Sequence, residues 1–448
     1  MTGAAADAAA PPRRRAGGRT VSVVIPTRDR RETLGATLDA LSEQRFPLNR
    51  LEVVVVADGC TDGTPAMVRG YRAPFALRLV EQPALGAARA RNAGAAAAGA
   101  PLLVFLDDDV VPDPGLVAAH AAAQARAPGC VVMGYSRPAV PVAVAGGGAG
   151  ALWRQRWEER FRTMGATGHR FAFRDLRSGN LSIAAALFAA AGGFDEEMEC
   201  RADSELGARL LEAGVAFAYE PAAAGEHRHP APAALLPRQR RAEGRGDVQL
   251  GLRHPSLRPE LRLARVEADV PPLEGALRAL AFTAPRLGDV AARVLGAWLN
   301  ALERLRARRR WRRLHATLGH YWYWRGAAEQ AGGRRALADF LHGGDAAVAG
   351  EWGWGGEPLE VELQAGLADA ARALDAARPA GARLRYAGQA VGEIPARPGA
   401  ERLRGAHLRP ALSGDPTAWR LLLAMTLAGA SSPDGRATSF AADGAPDA

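Results

Sequence analysis

Short aliphatic runs alternate with helical patterns through the first part of the chain. The segment VSVVIPTRDR begins with an apolar run that stops at Pro26, as a buried strand does. The next segment, RETLGATLDALSEQ, places Leu34, Leu38 and Leu41 on one helical face. LEVVVVADGCTDGT and PLLVFLDDDV repeat the apolar run and its polar end. Strands that alternate with helices predict a parallel sheet with right-handed crossover connections.

The pattern changes twice towards the C-terminus. From about Leu257 to Gly344 it is helical, and after Glu351 strand-like and helical segments are mixed again, ending in the helical pattern PTAWRLLLAMTLAG. We therefore predict a disordered lead over 1–19, an α/β domain over 20–256, a helical extension over 257–348, a small α+β domain of unknown role over 349–430 and a disordered tail over 431–448.

Polar residues directly follow three of the predicted strands: Thr27, Asp58 and the triplet from Asp107 to Asp109. Ligands of open α/β sheets bind beyond the carboxyl ends of the strands. Adjacent carboxylates repel one another and have low strand propensity, so the triplet is either a solvated turn or a site with a compensating cation. Carboxylate oxygens suit Mg²⁺ and Mn²⁺, and alternation along the backbone puts Asp107 and Asp109 on one side.

Composition adds few constraints. The 448 residues exceed a single hydrophobic core, and the formal net charge is +9 without any lysine. This arginine bias is typical of GC-rich coding, and an anionic partner is the alternative explanation for the charge. Cys60, Cys130 and Cys200 form no CxxC pair, which fits a reducing compartment. We find no signal-peptide pattern and no apolar run of about 18 residues, and expect a cytoplasmic protein.

A basic segment, Arg304 to Arg313, contains seven arginines and Trp311. It is either a solvated helix or a contact with an anionic membrane surface on the inner face, near a lipid-phosphate acceptor. Nucleic-acid binding has no supporting fold signature, so we expect no nucleic-acid partner. The glycine-rich stretch AVAGGGAGA and the aromatic and charged segment LWRQRWEERF after it are expected to form a mobile loop and a helix beside the site.

Seven segments occur in an order that resembles family 2 glycosyltransferases of the GT-A fold: VSVVIPTRDR, VVVVADGCTDGT, AARARNAG, LVFLDDDV, SGNLSI with GGFDEE, DSELGARL and EHRHP. The resemblance covers about 21–253. It implies a mostly parallel sheet flanked by helices and the inverting transfer of a sugar from a nucleotide-sugar donor, UDP-linked by default. The acceptor would be a hydroxyl of a glycan, lipid-linked or small molecule, for example in cell-envelope or glycan biosynthesis. Mn²⁺ or Mg²⁺ would hold the diphosphate.

The resemblance also assigns residues on the donor side. The nucleotide-binding set is Pro26, Thr27, Arg28, Asp58, Arg91, Asp107 and Asp108, and the metal ligands are Asp109 and His227. Asp58 would bind the base, although an Asp-Gly turn is the alternative. Arg91 would lie near the base and phosphates unless it is an ordinary helix-surface arginine. His229, two residues after His227, is the competing histidine.

On the acceptor side, the resemblance makes Asp203 the catalytic base, with Asn180, Gly193 and Glu205 nearby. Ala202 stands where the family usually has a glutamate. The alternative is that Asp203 and Glu205 merely occupy the first turn of a helix, where its dipole favours acidic residues. Two other functions stay open: a non-catalytic nucleotide-sugar-binding or scaffold protein, and a sugar nucleotidyltransferase. The latter would need a glycine-rich first loop, which PTRDRRET lacks.

Overall fold

A computed structural model describes residues 19–139, 148–228, 236–264, 270–342 and 357–414. The predicted tail, the predicted closing helix over 416–429, His229 and nearly all of the predicted lead lie outside these residues. The described residues form two compact units. The first contains those within 19–166, 171–342 and 398–401, and the second those within 167–170, 357–397 and 402–414. The predicted helical extension therefore belongs to the same unit as the α/β domain.

The first unit contains eight strands: β1 (Val21–Thr27), β2 (Leu51–Asp58), β3 (Ala76–Gln82), β4 (Leu102–Leu106), β5 (Val110–Pro112), β6 (Val131–Pro138), β7 (Asn180–Ala184) and β8 (Phe217–His227). They form one sheet in the order β3-β2-β1-β4-β7-β6-β8-β5. The pairs β1–β2, β2–β3, β1–β4 and β6–β8 are parallel, and β4–β7, β6–β7 and β5–β8 are antiparallel.

The α-helices of the first unit are α1 (Arg31–Ser42), α2 (Thr64–Gly70), α3 (Ala87–Ala97), α4 (Leu116–Arg126), α5 (Gly148–Met164), α6 (Ala185–Ala190), α7 (Ala202–Glu212), α8 (Leu236–Arg253), α9 (Pro272–Thr283), α10 (Pro285–Arg304), α11 (Arg308–Ala331) and α12 (Arg334–His342). Short 3-10 helices span Leu48–Arg50, Phe173–Asp175, Pro255–Glu260 and Arg262–Ala264. Among the described residues, no helix combines the length and the apolar character needed to cross a membrane.

Burial follows the pattern of the sequence. Every residue of β1 and β2 is buried, as expected for central parallel strands that are covered on both faces. Leu34, Leu38 and Leu41 of α1 pack into the same core. The predicted α/β class is confirmed, and the carboxyl ends of β1, β2 and β4 meet at one edge of the sheet.

The second unit contains β9 (Leu359–Glu362), α13 (Leu367–Ala377), β10 (Ala382–Tyr386), β11 (Gln389–Ile394), a 3-10 helix (Gly405–His407) and α14 (Leu408–Gly414). β10 pairs with β9 in parallel and with β11 as an antiparallel hairpin. Val361, Leu374 and Leu384 lie in a small core of its own. This sheet and its helices match the α+β character predicted from the sequence.

Candidate active site

An open cleft of about 600 Å³ lies at the carboxyl ends of β1, β2 and β4. It brings together the whole predicted donor-side set: Pro26, Thr27, Arg28, Asp58, Arg91, Asp107, Asp108, Asp109 and His227. Because parallel strands end at the same edge, residues that are far apart in sequence meet there. We call this space the outer cleft.

Asp108 is held at the bottom of the outer cleft by two donors. Thr27 Oγ1 donates to Asp108 Oδ2 at 2.7 Å, and Arg30 Nη1 donates to Asp108 Oδ1 at 3.0 Å. Burial nevertheless raises the pKa of Asp108 to about 6, since it outweighs the attraction of Arg30 and the hydrogen bond from Thr27. The same Arg30 nitrogen lies 2.6 Å from Asp109 Oδ2. Arg30 thus provides the positive charge that two adjacent buried carboxylates require.

Asp109 and His227 are placed to share a cation. Asp109 Oδ1 and His227 Nε2 are 3.4 Å apart, and ligand distances of about 2.1 Å let both atoms contact one Mg²⁺ or Mn²⁺. The histidine ring stacks on Trp157 with centroids 4.9 Å apart and planes at 3°, and on Trp153 at 6.0 Å. This stacking fixes the orientation of the imidazole. One carboxylate and one imidazole with an open cleft beside them fit a hard divalent cation whose other ligands come from the substrate.

Asp58 organises the loop on the far side of the outer cleft. Its Oδ1 accepts hydrogen bonds from Gln82 Nε2 at 2.7 Å and from the backbone nitrogen of Leu85 at 2.8 Å. Its Oδ2 accepts from the backbone nitrogen of Gly86 at 2.9 Å. The carboxylate therefore fixes the start of α3 while it also lines the cleft, so a structural role and the predicted base-binding role are compatible.

Arg91 is not an ordinary surface arginine. Its Nη2 donates to Asp107 Oδ1 at 2.6 Å, and its side chain is only 12% exposed. Burial opposes its charge, but the attraction of Asp107 and Asp203 raises its pKa above the ordinary value. Asp107 packs closely on Gly179, where an added Cβ would lie 2.5 Å from Asp107 Oδ2. Asp107 is therefore fixed between the Arg91 guanidinium group and Gly179.

A second cavity of about 120 Å³, the inner cavity, lies next to the outer cleft and shares Asp107, Trp157 and His227 with it. Asp203, in the first turn of α7, lines the inner cavity. Ser178 donates to Asp203 twice, from Oγ to Oδ1 at 2.6 Å and from its backbone nitrogen to Oδ2 at 3.3 Å. A carboxylate that is oriented in this way next to a donor cleft can accept a proton from a hydroxyl group.

Asn180 also lines the inner cavity, and all of its amide is engaged. Asn180 Nδ2 donates to the carbonyl of Ala223 at 2.8 Å, and Asn180 Oδ1 lies 2.8 Å from His120 Nε2. Burial lowers the pKa of His120 to about 4, so the ring is neutral and Nε2–H donates to the asparagine. Asn180 is thus a rigid part of the cavity wall.

Gly193 and Glu205, which the resemblance placed on the acceptor side, do not line either cavity among the described residues. Gly193 has φ +71°, and an added Cβ would lie 2.7 Å from Asn92 Oδ1, so the turn requires glycine. Glu205 is 3% exposed and accepts from Arg209 Nη2 at 2.6 Å and from His254 Nε2 at 3.1 Å. Burial opposes ionisation of Glu205, but these bonds hold its pKa below the ordinary value.

The residue assignments missed Arg30, Trp153 and Trp157. The two tryptophans are four positions apart on a helix, a spacing that places them on one face, so their common orientation was readable from the sequence. Arg30 lies two residues after Arg28 in the same loop, and only the folded loop shows which arginine reaches the carboxylates.

Comparison with protein families gives a direct match for this region. Residues 22–171 match the model described as Glycosyl transferase family 2. The validoxylamine A glucosyltransferase of Streptomyces hygroscopicus subsp. jinggangensis is 46% identical over 117 residues, which are 25% of this chain and 28% of that protein. The glycosyltransferase AglE of Haloferax volcanii is 34% identical over 94 residues, 20% of this chain and 31% of that protein. The chain spans less than a third of the length of these relatives.

Among solved structures, the mannosyltransferase PcManGT from Pyrobaculum calidifontis, in complex with GDP-Man and Mn²⁺, is 24% identical with a TM-score of 0.43. The match covers 68% of this chain and 86% of that one. The family model itself covers β1 to β6 and α5, which carry most of the outer cleft. Residues 22–171, about a third of the chain, are therefore similar to glycosyl transferase family 2.

Proposed function

We propose that the protein is a metal-dependent inverting glycosyltransferase with a nucleotide-sugar donor. The main support is the arrangement of the site: Asp203 lines an inner cavity that shares Asp107, Trp157 and His227 with the outer cleft. A donor in the cleft and an acceptor in the cavity would meet at these shared residues. The names of the relatives, which are glycosyltransferases, agree with this reaction class.

In the proposed step, the acceptor hydroxyl oxygen attacks the anomeric carbon and forms the new glycosidic bond. The bond from that carbon to the diphosphate oxygen breaks, and its electron pair leaves with the nucleoside diphosphate. Asp203 takes the proton of the acceptor hydroxyl, and Ser178 keeps the carboxylate oriented. A divalent cation held by Asp109 and His227 would neutralise charge on the leaving diphosphate.

The donor-binding groups surround this centre. Asp58 and Arg28 would contact the nucleoside end, and Asp108 the ribose, while Arg91 keeps Asp107 in place. The default donor is a UDP-sugar. The name of the validoxylamine A glucosyltransferase makes UDP-glucose the first donor to test, together with a small-molecule hydroxyl acceptor.

The test is a donor panel. Full-length protein is incubated with UDP- and GDP-sugars and with Mn²⁺, Mg²⁺ or EDTA, and the released nucleoside diphosphate is measured. We expect metal-dependent release with one donor class and its loss in Asp203→Asn. Binding of a donor without any turnover by either protein would instead indicate a non-catalytic binding or scaffold protein. Formation of a nucleotide-sugar from a sugar phosphate would indicate a nucleotidyltransferase.

We also propose a peripheral membrane contact on the inner face, through the basic segment from Arg304 to Arg313 and the adjoining helix α10. All seven arginines of this segment are exposed. Helix α10 exposes an apolar stripe at helical spacing, formed by Leu287, Val290, Val294 and Trp298. An exposed apolar face beside arginines is typical of helices that lie on anionic lipid surfaces.

Vesicle sedimentation tests this contact. We expect binding to vesicles that contain phosphatidylglycerol, weaker binding at high salt, and loss of binding in Trp298→Glu. Equal binding of the protein and the variant, or no binding at any composition, would refute it. The stripe would then be better explained by a protein partner.

A further inference from the structure

Two arginines of the inner cavity have no counter-charge bound to them. Arg160 comes from α5 and Arg177 from the loop before β7, and both line the cavity that holds Asp203. Across the part of the chain that the structure describes, neither guanidinium takes part in a hydrogen bond or ion pair, and Arg177 Nε is buried without a partner. Other arginines near the site are paired, as Arg91 is with Asp107 and Arg201 with Asp247.

The pKa values of both guanidinium groups show that this arrangement disfavours their charged forms. Burial and, to a smaller extent, repulsion from the neighbouring Arg177 lower the pKa of Arg160 to about 10. Burial also lowers the pKa of Arg177, although Asp203 attracts its charge from beyond ion-pair distance. Arg201 adds repulsion to both, whereas Asp175 and Glu243 add distant attraction. Two half-buried cations that repel each other are unfavourable in the protein alone.

Neither arginine makes an ion pair with Asp203 in the part of the chain that the structure describes. Fixed guanidinium groups with unused N–H donors are instead the usual partners of carboxylate and phosphate groups. Asp107 and Asp203 also line the inner cavity, but Asp107 is paired with Arg91, and Asp108 and Asp109 line only the outer cleft.

We propose that the inner cavity binds an oxyanion of the acceptor, a carboxylate or a phosphate, between Arg160 and Arg177. This inference rests on the proposed function, because it places the acceptor and not the donor in this cavity. The anion anchors the acceptor, and a hydroxyl on the same molecule then lies within reach of Asp203. The acceptor class is accordingly an acidic or phosphorylated hydroxyl compound.

Calorimetric titration of the full-length protein tests the anion site without requiring turnover. The probes are inorganic phosphate and acetate, each added without metal, so that no divalent cation in the outer cleft can bind the anion. We expect saturable binding of at least one probe. The probe that binds more tightly indicates whether the acceptor carries a phosphate or a carboxylate. Its dissociation constant should rise at least about tenfold in Arg160→Gln and in Arg177→Gln. Arg162→Gln, an exposed position of the same helix paired with Glu159, is the matched control.

The same variants are titrated with UDP and Mn²⁺. Unchanged UDP binding shows that they are folded and that the arginines do not hold the donor diphosphate. Weakened UDP binding in both variants, or competition between phosphate and UDP, would overturn the proposal in favour of a donor role. Absence of probe binding while UDP still binds would also overturn it, but would leave the glycosyltransferase function standing. Absence of UDP binding to the unmodified protein would count against the function itself.

Discussion

Replacement of Arg160 by methionine should stabilise the protein. Arg160 carries a positive charge in a half-buried cavity wall, is repelled by Arg177, and makes no ion pair in the described part of the chain. In the unfolded chain the same guanidinium is fully hydrated. Methionine keeps most of the aliphatic stem and removes the charge, so the desolvation cost of the native state disappears.

The pKa of Arg160 gives the size of the effect. Burial lowers it to about 10. With about 1.4 kcal/mol for each pKa unit, the cost to the charged form is at most about 3.5 kcal/mol. Solvent that still reaches the guanidinium reduces this to about 1–2 kcal/mol. At neutral pH the arginine is charged in both states, so the whole cost is present there and is relieved only as the pH rises through about 10.

Thermal and urea denaturation at pH 7 measure this gain. We expect Arg160→Met to raise Tm by about 2–8 °C, since about 1 kcal/mol shifts Tm by about 2–4 °C in a unit of this size. Arg162→Met, whose arginine is 75% exposed on the same helix, should change stability by no more than about 0.5 kcal/mol. A fall in Tm for Arg160→Met, with Arg162→Met unchanged, would show that Arg160 stabilises the native state and would refute the reasoning.

Three further substitutions test separate parts of the site. Asp203→Asn should bind UDP and Mn²⁺ normally but lose at least about 100-fold in transfer rate, and near-normal turnover would assign the base elsewhere. Asp109→Ala should abolish Mn²⁺-dependent UDP binding in calorimetry, and binding that survives would remove this residue from the metal. Glu205→Gln should cost about 3 kcal/mol in urea denaturation at pH 7 because Arg209 loses its buried partner, while UDP binding is kept. That difference should disappear as the pH falls through the lowered pKa of Glu205, and a difference independent of pH would contradict the ion-pair explanation.

The donor half of the site was predictable because it follows from strand order. Thr27 and Asp58 end β1 and β2, and the triplet from Asp107 to Asp109 follows β4, so a parallel arrangement of these three strands brings them to one edge whatever the details of the loops. The apolar runs and the polar residues after them are both visible in the sequence. The α/β class was predictable for the same reason.

The acceptor half of the site depends on contacts between segments that are far apart in the sequence, and no local sequence pattern predicts these contacts. Trp157 and Arg160 reach the site because α5 lies over the sheet, and Arg177 does so through a loop. Glu205 illustrates the opposite case, since its position two residues after Asp203 indicated a site residue, yet helical geometry turns it towards Arg209 and His254 in the core. Neighbours in sequence on a helix point about 100° apart, so proximity to a catalytic residue along the chain does not imply proximity to the substrate.

Some of the arginines need no functional explanation, whereas others do. A coding bias explains why the chain has arginine and no lysine, and among the described residues many of these side chains lie at the surface or in ion pairs, as Arg91 and Arg201 do. Bias does not explain a cation that is half-buried without a partner, because burial of an uncompensated charge opposes folding and surface positions are available. Arg160 and Arg177 occupy such positions beside the candidate base. The simplest physical reason is that their counter-charge arrives with the substrate. The net charge of the chain therefore says little about its ligands. The position of two guanidinium groups that are unpaired among the described residues instead indicates an anionic group on the substrate.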